Sequence, residues 1–81
     1  MSKEELIELV NSGRELEFVF DKKRFSITYG IIDNKERISF CEFYKVSTEV
    51  DSVEELLKIE RYGVAVETMI ASIDKNDIWI F

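Results

Sequence analysis

Residues 15–41 read ELEFVFDKKRFSITYGIIDNKERISFC, and this stretch decides the fold. Leu16, Phe18 and Phe20 alternate with Glu15, Glu17 and Val19. That period of two marks a strand with one buried face. Asp21-Lys22-Lys23 is a tight polar turn, after which Phe25, Ile27 and Tyr29 alternate with Arg24, Ser26 and Thr28 in a second strand. Gly30 closes its regular part, and Asp33-Asn34-Lys35-Glu36 is a second polar turn. Ile38 and Phe40 then alternate with Arg37, Ser39 and Cys41. Connections this short join neighbouring antiparallel strands, so the three strands form a meander. Its apolar face is Leu16, Phe18, Phe20, Phe25, Ile27, Tyr29, Ile38 and Phe40. A register slip of one residue would send that whole set to water.

Outward from the meander, the pattern turns helical. Ser2 followed by Glu5 has the spacing of a capping box, and Leu6, Ile7 and Val10 share one face until Asn11-Ser12-Gly13 stops the helix. Beyond the third strand, Phe43, Tyr44 and Val46 stay apolar without strict alternation, and the chain crosses Ser47 to Asp51. Asp51 with Glu54, or Ser52 with Glu55, opens a second helix carrying Val53, Leu56, Leu57 and Glu60, with Gly63 as its stop. A third helix carries Val66, Met69, Ile70 and Ile73. Residues 64–66 fit either its first turn or a short extended piece. Asp74-Lys75-Asn76-Asp77 is a turn, and Ile78-Trp79-Ile80-Phe81 either docks on the core or adds an edge strand. The expectation is a single α+β domain over residues 1–81: a three-stranded antiparallel meander packed on one face by two or three short helices, with a possible short C-terminal edge strand.

Composition narrows the function classes. A chain of 81 residues buries only about 60% of its unfolded surface, so the six Phe, three Tyr and one Trp have to supply a dense core. One Cys and no His exclude an intrachain disulfide and a structural zinc site, and no cofactor is expected. No stretch approaches the ~20 apolar residues of a membrane span, and the acidic start lacks a secretory apolar run. A reducing cytoplasm is the expected setting. The net charge of −6 is spread as −2 over residues 1–11, +1 over 12–48 and −5 over 49–81, which disfavours nucleic acid.

Each chemical candidate meets a structural alternative. Cys41 is the sole thiol, and with no His to serve as base it reads as a half-buried, inert side chain. Glu15 and Glu17 face Arg24 across strands, which is ordinary charge pairing. Asp74 to Asp77 lacks the glycine and the later ligands of a calcium loop. Lys22-Lys23-Arg24 is the one basic run, at a hairpin tip. The aromatics Phe43, Tyr44, Tyr62, Trp79 and Phe81 exceed what one small sheet face requires. They either complete the core or form a contact surface for another chain, since aromatic side chains dominate interface energetics.

The run Asn11-Ser12-Gly13-Arg14-Glu15-Leu16-Glu17-Phe18, with Phe25 to Gly30, Ile38 to Lys45 and Ser52 to Leu57, resembles small bacterial proteins of uncharacterised function. The resemblance carries no chemical motif and implies no site residues. Three readings follow. The first is a non-enzymatic cytoplasmic interaction module that binds a protein partner or pairs as a homodimer. The second is a nucleic-acid-associated regulator of bacterial or phage origin using Lys22, Lys23 and Arg24. The third is a ligand binder or enzyme on the polar sheet face around Cys41. A contact surface is expected at a sheet edge or at Trp79–Phe81, not at the middle of the sheet.

Overall fold

The computed structural model describes residues 1–81 and contains the expected meander inside a larger sheet. Helix α1 (Lys3–Asn11) leads into strands β1 (Leu16–Phe20), β2 (Lys23–Ile32) and β3 (Lys35–Glu42). Strand β4 (Thr48–Val50), helix α2 (Val53–Lys58) and a hairpin of β5 (Glu60–Arg61) and β6 (Val64–Ala65) follow. Helix α3 (Val66–Ser72), a 3₁₀ turn at Lys75–Asp77 and strand β7 (Ile78–Ile80) complete the chain. The main sheet is antiparallel throughout, in the order β4-β3-β2-β1-β7. No helix is long and apolar enough to cross a membrane.

Local chemistry sets the element ends. Ser2 and Glu5 form both hydrogen bonds of the capping box on α1. Past its end, Gly13 (φ 74°) donates to Val10 O and Arg14 to Leu9 O, the bond pair that a left-handed glycine permits. The β1–β2 and β2–β3 connections are two-residue turns, Asp21-Lys22 and Asp33-Asn34, with positive φ at both central residues. Such turns match the right-handed twist of the strands they join. The second is shorter than the four-residue turn expected, because β2 runs on through Gly30 to Ile32, paired with Lys35.

Two further departures, and the choice between the alternatives at residues 64–66, are local. Helix α2 opens at Ser52, whose hydroxyl accepts from the Glu55 amide, but it ends at Lys58. Gly63 does not stop it: with Tyr62 it makes the positive-φ turn of the β5–β6 hairpin, and Glu60 is extended. Residues 64–65 take the extended alternative, with the helix starting at Val66. Thr48–Val50, expected as a plain crossing, pairs with Ile38 to Phe40 as an edge strand.

All three helices cover one face of the sheet. The core is built from fifteen buried residues, all of them apolar. Phe18, Phe25 and Phe40 come from three adjacent strands, fully buried and stacked at 5.3 and 5.4 Å between successive rings. Leu6 and Val10 from α1, Val53, Leu56 and Leu57 from α2, and Val66, Met69 and Ile70 from α3 close over them. Six of the eight apolar-face residues expected from alternation are buried, while Phe20 and Tyr29 lie at the rim. The Tyr29 hydroxyl donates toward Arg14 O (2.8 Å) and Val10 O (3.3 Å), tying the end of α1 to β2.

Two predictions follow from this packing. Phe25→Ala removes the middle ring of the stack and is expected to cost about 3–5 kcal/mol. That is much of the roughly 5–15 kcal/mol that holds a small domain together, and urea unfolding would measure it. The second concerns acid. Asp51 accepts from Arg37 Nε at 2.9 Å and lies 3.5 Å from Lys35 Nζ. Desolvation pushes its carboxyl up, but the Arg37 hydrogen bond and the charges of Arg37 and Lys35 outweigh this and hold it below the usual range. Glu5 is likewise lowered, by the Ser2 amide and then the Ser2 hydroxyl. Both folded values are depressed, so the ionised forms stabilise the fold above about pH 4 and that contribution is lost as pH falls through the lowered values. The urea midpoint should therefore decline in acid, and Asp51→Asn should lower stability at neutral pH while flattening the decline.

Candidate functional site

The face of the sheet turned away from the helices has no covering layer, and register determines what stands on it. Leu16, Phe18, Phe25, Ile27, Ile38 and Phe40 point to the helices, so their strand neighbours point the other way. Across one row, Trp79 on β7 lies opposite Glu17 on β1, which lies opposite Ser26 on β2 and then Cys41 on β3. In the next row Val19 lies opposite Arg24, and the Phe43 amide donates to Arg24 O (2.8 Å), which places Phe43 beside Arg24. The expected charged face therefore carries aromatic rings among its charges.

Arg24 ties them together. Its guanidinium carbon lies 4.9 Å from the Trp79 ring centre and 5.3 Å from that of Phe43. Its Nε is 3.6 Å from Glu17 Oε1. One cation thus sits between two π-faces and beside one carboxylate, an arrangement worth about 0.5–1 kcal/mol per ring at an exposed position. Phe43 in turn meets Tyr44 edge-on at 6.2 Å and 85°. The row reaches from β7 across β1 and β2 to the turn after β3. Phe81, two residues beyond Trp79 and 61% exposed, extends it along the strand direction, its amide donating to Glu15 O.

Four of the five aromatics singled out in the sequence therefore share the uncovered face. The fifth does not. Tyr62 sits at the other surface, where its hydroxyl donates to Glu42 Oε1 (2.7 Å) and Lys23 Nζ lies 4.5 Å from its ring centre. It fastens the β5–β6 hairpin over the end of the sheet. Strand alternation also divides the basic run. Lys22 is at the turn, Lys23 lies opposite Phe20 on the helix side, and Arg24 lies opposite Val19 on the open side.

The remaining candidates are placed as follows. The Cys41 thiol donates toward Glu42 O and Lys45 O, each at 3.1 Å, and none of the surface clefts is lined by Cys41. Asp74 caps the 3₁₀ turn, its Oδ1 accepting from the Asn76 amide at 3.1 Å. Sequence patterning missed Arg24 as the centre of the aromatic row, because the row depends on the pairing of β7 with β1, far apart in the chain. A comparison with protein-family models, curated proteins and solved structures gives no match.

Trp79 is the single tryptophan, so its fluorescence reports on this surface alone. Arg24→Ala should expose the indole, giving faster acrylamide quenching and a shifted emission maximum. The stability change should stay within about 1–2 kcal/mol, the sum expected for two exposed cation–π contacts and one surface ion pair.

Proposed function

We propose that this chain is a non-enzymatic protein-interaction module of the cytoplasm, with its contact surface on the uncovered sheet face. The observation that carries the reading is the position of Trp79, Phe43, Tyr44 and Phe81. These large aromatic groups stand where no helix packs on them. Aromatic side chains and arginine are the groups that contribute most at protein interfaces, and here an arginine lies between two of the rings.

Tyr44 adds support of a different kind. It is fully exposed, and its φ of 68° lies in the left-handed region, where glycine and asparagine are the usual occupants. The position suits a small residue, and beyond its edge-on contact with Phe43 no packing accounts for a large ring there. Strain of this kind is retained where function uses it.

The competing readings draw less from the geometry. A nucleic-acid regulator needs clustered cations facing the phosphates. Here Lys22, Lys23 and Arg24 point in three directions, and Arg24 is engaged by Glu17. An enzyme or small-ligand binder around Cys41 needs a concave pocket, and the sheet there carries none. A reducing compartment suits the single thiol.

The test separates folding from binding. Tyr44→Gly removes the left-handed penalty and is expected to stabilise the domain by up to about 1 kcal/mol, while weakening capture of partners from extract. Trp79→Ala should also abolish capture. Proteins retained by the wild-type chain and lost from both variants support the reading. Capture indifferent to both substitutions, or none by the wild-type chain, would sink it.

A further inference from the structure

We infer that the β7 edge takes up an extended, basic segment of another protein as a sixth strand of the sheet. The inference shares with the module reading only the need for a protein partner. It uses the edge of β7, whereas the surface proposed above uses its face, so each stands or falls separately.

The two edges of the sheet differ. Strand β4 is guarded: it carries Glu49, and the Arg61 guanidinium donates to the Thr48 hydroxyl. Strand β7 is Ile78-Trp79-Ile80, with no charge, proline or bulge, the devices that normally protect an edge from pairing. Because the Phe81 amide donates to Glu15 O, antiparallel alternation turns the backbone groups of Phe81 and Trp79 toward β1. It leaves the N–H and C=O of Ile80 and the C=O of Ile78 facing outward, where β7 has no neighbouring strand. A row of such groups is matched by an extended backbone.

Beneath the edge there is room for the side chains of such a strand. Helix α1 and β7 enclose two abutting clefts of about 390 and 340 Å³, and Ile80 lines both. Side chains of an added strand level with Ile78 and Ile80 point to the same side of the sheet, into these clefts. Charge then selects the occupant. Arg14 lies at one end beside Glu8, Lys75 at the other, and Glu5 is common to both clefts. One Glu5 oxygen accepts from the Ser2 amide, and no cation forms an ion pair with Glu5 or Glu8. A lysine or arginine of the added strand can lay its stem over Ile80 and bring its charge to Glu5. A second copy on the same strand would instead set Glu5 against Glu5, between chains that each carry −6. Like charges so placed weaken association, while the same −6 attracts a basic segment.

A phage-displayed library of random linear peptides, selected on the full chain, tests this. Enriched peptides should alternate, carry a central lysine or arginine and lack proline there. When one is added, the Ile80 amide should exchange more slowly by NMR, whereas the Trp79 amide, already bonded to β1, should keep its rate. Ile80→Pro deletes the outward N–H without touching the β1 ladder. It should weaken peptide binding roughly tenfold with wild-type far-UV circular dichroism. Glu5→Gln keeps the capping hydrogen bond and should lose the preference for a basic residue. No enrichment, peptides without alternation or a basic residue, an unchanged Ile80 amide, or binding indifferent to Ile80→Pro would overturn the inference. So would a wild-type dimer that Ile80→Pro makes monomeric, because a second copy would then hold the edge. Peptides lost on Trp79→Ala but kept by Ile80→Pro would refute the edge and leave the module reading in place.

Discussion

Phe18 and Phe25 lie directly opposite each other on paired strands, Phe40 stacks diagonally on Phe25 from the third, and the rest of the structure depends on this stack. Each ring fixes the face on which its strand's other residues appear, because a strand cannot turn one side chain without turning all of them. Once the three rings point the same way, Leu16, Ile27 and Ile38 must join them. The helices then have one apolar surface to cover. Their own contributions, from Leu6 to Ile70, are the residues that fit over the rings.

The same constraint creates the open face. All three short helices lie on one side of the sheet, and the other side carries no covering layer. What stands there is decided by parity: with Phe18 and Phe25 inward, Glu17 and Arg24 must be outward. Strand β7, paired to β1 in the only parity that buries Ile78 against the core, must then show Trp79 to solvent. The filling of the core thus decides which positions face outward, and the sequence places aromatic residues at several of them.

Much of this was legible in the sequence because the patterns that decide it are local. Alternation from Glu15 to Cys41 gave three strands, their common face and their connections. Ser2–Glu5 and Asn11 to Gly13 gave the ends of the first helix. What escaped depended on partners distant in the chain. Thr48–Val50 is three residues of mixed polarity, a strand only because Ile38 to Phe40 offers it hydrogen bonds. Gly63 read as a helix stop because a left-handed glycine serves helix ends and hairpin turns equally well, and Tyr62 beside it chose the hairpin. The aromatic surplus was visible as composition. Its sorting into Tyr62 on one side and Phe43, Tyr44, Trp79 and Phe81 on the other required the register of β7, which no pattern within β7 contains.

The position of β7 also bears on the order in which the domain assembles. The meander joins residues near in sequence through two-residue turns, and such contacts close quickly. Strand β7 must instead find β1 across nearly the whole chain, a separation of 67 residues at the Arg14–Phe81 hydrogen bond. Closing so long a loop carries an entropic cost that only the completed core offsets. The last strand to be captured is then the first to detach. Its amides are then expected to exchange before those of the β1–β3 meander, through brief openings in which β1 itself becomes the outer strand.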